Sequence, residues 1–93
     1  MLARANQEFV DIISWYMNQQ DGLDEKFVDQ FDIETAVILN QPLIFPKSKK
    51  GYHQALMKIF PFQIIYSVDQ QAGIITIVSI FHTSRHPRKK TSK

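Results

Sequence analysis

Apolar residues recur along the chain at two different spacings, and the change of spacing divides it into helices followed by strands. Over residues 5–20, Phe9, Ile12, Ile13 and Tyr16 stand at i, i+3, i+4 and i+7, one stripe of a helix. Gln7, Glu8, Asp11, Ser14 and Asn18 fill the opposite side, and Asp21-Gly22 breaks the pattern. A second helix is expected over about 24–40, with Asp24 as N-cap and Leu23 and Val28 as a hydrophobic staple. Phe27, Phe31 and Ile38 continue one face of it, and Asn40-Gln41-Pro42 ends it, because a residue before proline avoids the α region.

Beyond a basic loop, PKSKKG over 46–51, the period changes to that of strands. Residues 52–58 form a first strand, FQIIYSV over 62–68 a second, and IITIVSIF over 74–81 a third. Pro61 suits a turn or a strand start, and DQQAG over 69–73 is a turn. The third run is apolar at nearly every position, which places it at the centre of the sheet. The architecture is α+β, ααβββ: an antiparallel helix hairpin packed on one face of a small antiparallel sheet, with the other face partly open. One domain spans residues 1–93, with a basic flexible tail from about 88.

Composition narrows the class. Hydrophobic residues make up 44% and aromatics 12%, enough for a folded core, although a chain of 93 residues has a thin one that a partner can complete. The absence of cysteine removes disulfides, thiol nucleophiles and cysteine-ligated metals, and agrees with a cytoplasmic protein. No apolar run is long enough to span a membrane, and residues 1–9 lack the apolar stretch of a signal peptide. No glycine-rich phosphate loop, nucleophile elbow or metal motif occurs, so neither metal nor cofactor is expected.

Charge is more telling than its sum of +2. Residues 1–46 hold two bases against eight acids, and residues 47–93 nine bases against one acid. Such a split describes a basic face that seeks polyanions or an acidic protein.

Three patches in order resemble the RelE/ParE family of bacterial toxins. The first runs from Glu8-Phe9 through Trp15-Tyr16, Gln20 and Gly22-Leu23 to Phe27. The second is Pro42 with Phe45-Pro46, before the basic loop. The third is Phe60-Pro61-Phe62, Ile65-Tyr66, and an ending Ile80-Phe81-His82-Thr83-Ser84-Arg85-His86-Pro87, closest to the ParE-like branch. The resemblance implies the toxin of a plasmid-stabilising type II toxin–antitoxin pair, neutralised by a cognate antitoxin. ParE-like members act on DNA gyrase; RelE-like members are ribosome-dependent endoribonucleases that cut mRNA; a non-toxic member that only binds its antitoxin is a third possibility. The family usually has a strand before the first helix, and this chain begins too late to contain it. An open sheet edge then invites a homodimer or a toxin–antitoxin hetero-oligomer. His53 stands where relatives often have arginine.

Candidate site residues follow from chemistry and the resemblance together. Arg85 carries a planar fork suited to phosphate or carboxylate, against the plainer role of a surface partner for Glu8 or Asp11. His82 and, more weakly, His53 are candidate bases if the protein cuts RNA; the plainer role for each is a backbone hydrogen bond. Lys47, Lys49, Lys50, Tyr52, Arg88, Lys89 and Lys90 are candidates for binding a nucleic acid or protein target. The remaining helix acids are read as a solvated face.

Overall fold

In the computed structural model, which describes residues 1–83, the chain folds as two helices and a three-stranded antiparallel sheet: α1 (Ala3–Met17), α2 (Leu23–Asn40), β1 (His53–Leu56), β2 (Phe62–Asp69) and β3 (Ile74–His82). No helix among these residues is long and apolar enough to cross a membrane.

The first helix begins earlier than its stripe suggests, since Ala5 is fully buried, and it ends earlier too. The amides of Asn18 and Gln19 bond to the carbonyls of Trp15 and Tyr16, three residues back, and the Asn18 side chain turns onto Ser14 O at 3.1 Å. Those bonds tighten the last turn and stop the helix. The expected capping of α2 by Asp24 does not occur. Gly22, left-handed at φ 83°, is the N-cap, and Asp24 and Glu25 lie in the first turn, where their charges complement the helix dipole. Leu23 and Val28 both pack against the core instead of acting as an isolated staple.

Aromatic packing joins the helices to the sheet. Phe27 is fully buried, its ring edge-on to Phe60 at 5.3 Å and to Phe62 at 5.6 Å. Phe9 stacks obliquely on Phe31 at 4.7 Å, and Tyr16 meets Phe60 at 5.2 Å. Offset and edge-on rings at these separations bring the partly positive edge of one ring to the negative face of another. Across exposed Pro61 the Phe62 amide donates to Phe60 O at 2.8 Å, a tight turn, and the rings of both phenylalanines meet Phe27.

The strand order is β1-β2-β3. The expectation of a central third strand is therefore corrected: β2 is central and β3 is an edge. Short connections pair each strand with its sequence neighbour, which leaves the middle one inside. The apolarity of β3 on both faces has another cause. Ile75, Ile77 and Ile80 pack on the helix side, and Val78 and Phe81 line the opposite face. A bulge makes this possible. Ile65 pairs with Ser79 and Tyr66 with Ile77, so Val78 has no partner, and Ile77 and Ile80 can point the same way although they are three positions apart.

Two buried polar residues tie connections to this core. The Glu34 carboxylate, expected on a solvated face, is only 4% exposed; its Oε2 accepts Gln30 Nε2 at 2.8 Å and the Lys58 amide at 3.0 Å. It holds the β1–β2 connection against α2. Tyr66 is wholly enclosed, and its hydroxyl donates to Pro42 O at 2.7 Å, fixing the segment after α2. Burial raises the Tyr66 pKa above the ordinary value of about 10, because a phenolate would lose its hydration there.

Tyr66→Phe is expected to cost about 1 kcal/mol at neutral pH, measured by urea unfolding, since Pro42 O loses its donor. The raised folded-state value means that Tyr66 contributes stability below about pH 10 and loses it as pH rises through the higher folded value. Alkaline loss of stability should be shallower in the phenylalanine variant.

Candidate target-binding groove

The basic loop of the sequence is a β-hairpin turn that extends the sheet. Ser48 N donates to Tyr52 O at 2.8 Å and Gln54 N to Pro46 O at 2.9 Å, so residues 46–48 run along the outer edge of β1. Gly51 N closes the turn onto Ser48 O at 3.0 Å, and Gly51 takes the left-handed φ of 91° that a short hairpin loop needs. Lys49 and Lys50 are the two central residues of this turn, and both are exposed. Lys47 pairs with His53 across an isolated bridge and so shares the face of His53.

On the sheet face away from the helices lies a groove of about 710 Å³. Its floor is Gln54 from β1, Ile65 from β2, and Val78, Ser79 and Phe81 from β3. Lys49, Lys50 and Tyr52 stand at one end, and Arg4 and Glu8 of α1 at the other, with His82 also on the wall. The structure thus brings together four residues singled out in the sequence: Lys49, Lys50, Tyr52 and His82. Arg85, Arg88, Lys89 and Lys90 lie outside the described residues.

His53 sits on the opposite face. It is 6% exposed, its Nδ1–H donates to Phe45 O at 2.9 Å, and its ring stacks on Tyr66 at 5.1 Å and 16°. His82 is the cross-strand partner of Phe62, and its ring lies edge-on to Phe62 at 5.1 Å, on the helix side of the sheet at the end of β3. Among the described residues, no three histidine, aspartate or glutamate side chains gather as metal ligands would.

Glu8 is the residue that sequence reasoning undervalued. Its Oε1 accepts both Ser79 Oγ at 3.0 Å and the Ile80 amide at 2.9 Å, and Arg4 Nε lies 3.6 Å from Oε2. A side chain of α1 therefore covers the outer edge of β3, while the Leu2 amide bonds to Ile77 O at 2.9 Å further along. Edge strands without such cover pair with other chains. The polar positions of α1 gave no sign of this, because a residue 72 positions away supplies the partner amide.

The fold and groove define a small α+β domain with a sealed aromatic face and an open, cationic one. The family model described as "ParE toxin of type II toxin-antitoxin system, parDE" matches residues 1–87, and the chain belongs to that family. It is a type II toxin–antitoxin toxin, and membership implies a cognate antitoxin. No curated protein matches the chain.

Glu8→Ala is expected to destabilise the fold by about 2 kcal/mol, because Ser79 and the Ile80 amide lose a charged acceptor. Hydrogen exchange should quicken at the Ile80 amide first. Glu8→Gln, which keeps an acceptor oxygen, should recover much of the loss.

Proposed function

We propose that the protein arrests growth by binding DNA gyrase, and that its cognate antitoxin neutralises it by direct binding. The observation that carries this reading is the family match over residues 1–87, which belongs to the ParE branch. Two of the acid–base candidates are committed to structure, while His82 is common to the binding and the cleavage readings. Glu8, the carboxylate of the groove, is committed to the β3 edge, and His53 is enclosed on the other face. In this reading the open face, with Lys49, Lys50 and Tyr52, meets the target; Arg85 and the tail bases Arg88, Lys89 and Lys90 are proposed as further contacts. The antitoxin segment that masks this surface is acidic or amphipathic, matching a surface that is basic and partly apolar. The protein works in the cytoplasm, where gyrase is found.

Expression of the chain alone in growing bacteria should halt growth, and co-expression of a small adjacent open reading frame should restore it. Purified, folded protein should inhibit gyrase supercoiling in a dose-dependent way. Intact supercoiling together with mRNA cut inside codons on translating ribosomes would replace this reading with that of an endoribonuclease. Normal growth with abundant folded protein would leave only antitoxin binding.

A further inference from the structure

A second recess, of about 420 Å³, lies on the helix side of the sheet, where α1 meets the paired ends of β2 and β3 at Phe62 and His82. Its chemistry differs from that of the basic groove. Trp15, Tyr16, Phe62 and His82 supply aromatic rings, Ile12 an aliphatic surface, and Asp11 a carboxylate. The rings meet steeply: Tyr16 and Phe62 at 6.3 Å and 81°, Phe62 and His82 at 5.1 Å and 83°. Asp11 and Trp15 are four residues apart on α1 and so share one face of it. Gln7 Nε2 donates to Asp11 Oδ1 at 2.9 Å, which orients the carboxylate and leaves lone pairs on both of its oxygens. Among the described residues that line the recess, none is a lysine or an arginine. Trp15 is 52% exposed, so the recess opens to solvent along α1.

Ring faces are negative, and with a carboxylate beside them they favour a cation. An anion would be repelled by both, and an apolar ligand would leave Asp11 without a use. Among cations a guanidinium suits the site best. It is flat and weakly hydrated, so it can stack on an indole, and its fork of N–H donors matches a carboxylate. An ammonium is compact and more strongly hydrated. The open side favours a side chain carried on another polypeptide, since a site for a free small molecule encloses most of its ligand. We propose that this recess binds an arginine side chain presented by a partner protein, the guanidinium stacked on Trp15 and hydrogen-bonded to Asp11. This goes beyond the gyrase reading and does not depend on it.

The test is NMR titration of the purified full chain with acetyl-Gly-Arg-Gly-amide, its lysine counterpart and free arginine. Trp15 is the only tryptophan of the chain, so its indole N–H signal reports this recess alone. The arginine peptide should shift that signal saturably, and the lysine peptide should bind about fivefold more weakly. Asp11→Asn should weaken the arginine peptide about tenfold, because a charge-assisted pair becomes a neutral one. Asp29→Asn, which removes an exposed acid of α2, should leave it unchanged. Trp15→Leu, followed at the Tyr16 backbone amide, should weaken it about fivefold, and Trp15→Phe should recover part of the loss. All three substituted positions are exposed, and a thermal melt checks that the variants remain folded. The absence of a saturable shift, equal binding of the lysine peptide, or an equal loss in Asp11→Asn and Asp29→Asn would overturn the proposal. Free arginine binding as tightly as the peptide would assign the recess to a small molecule. Tighter peptide binding after Arg85→Ala or Arg88→Ala would assign it to the chain's own arginines. Either of these last two results overturns the partner protein as occupant.

Discussion

The packing of Phe27 between the two phenylalanines that flank Pro61 is the contact on which the rest depends. A three-stranded sheet this small cannot stand by itself, and neither can a hairpin of two helices. Phe27 meets Phe60 and Phe62 edge-on, with Phe9, Tyr16 and Phe31 around them, so one aromatic cluster joins the two layers. Because this cluster uses one face of the sheet, the other is left for binding. The tight turn at Pro61 immediately precedes β2, whose first residue, Phe62, pairs with His82, the last of β3.

Polar side chains then determine the boundaries of that arrangement. Glu34 ties the β1–β2 connection to α2, Tyr66 ties the segment after α2 to the sheet, and Glu8 closes part of the β3 edge. Each joins elements far apart in the chain through a backbone group that would otherwise lack a partner. A buried amide or carbonyl without a partner is costly, so these three side chains select one docking of the layers among several that the aromatic cluster alone would tolerate. The charge split of the sequence acquires a spatial meaning from that docking. The acids are concentrated on the helices, and the lysine pair at 49 and 50 is carried by the hairpin turn onto the open side.

Much of the fold was legible because it rests on local periodicity. The stripe of Phe9, Ile12, Ile13 and Tyr16, the β-branched runs of β2 and β3, and the turn at Asp69–Gly73 are all where their patterns put them. The misplaced features depend on distant partners. Strand β3 looked central because its sequence is apolar on both faces, but the apolar outer residues line a groove, and a bulge at Val78 shifts the alternation. Glu34 looked solvated because helix periodicity does not record that the Lys58 amide comes to meet it. His53 and His82 were equivalent as residue types, yet one is buried against Tyr66 and the other is half-buried against Phe62 at the end of β3.

The sequence by itself determined the element order, the apolar faces, the basic character of residues 46–51 and the resemblance to the toxin family, since each is carried by neighbours within about one turn or one strand. Tertiary structure alone decided which strand lies at the edge, which acids are buried, and which four candidates share a groove. Those outcomes depend on contacts between residues tens of positions apart, and only the packed layers bring such residues together.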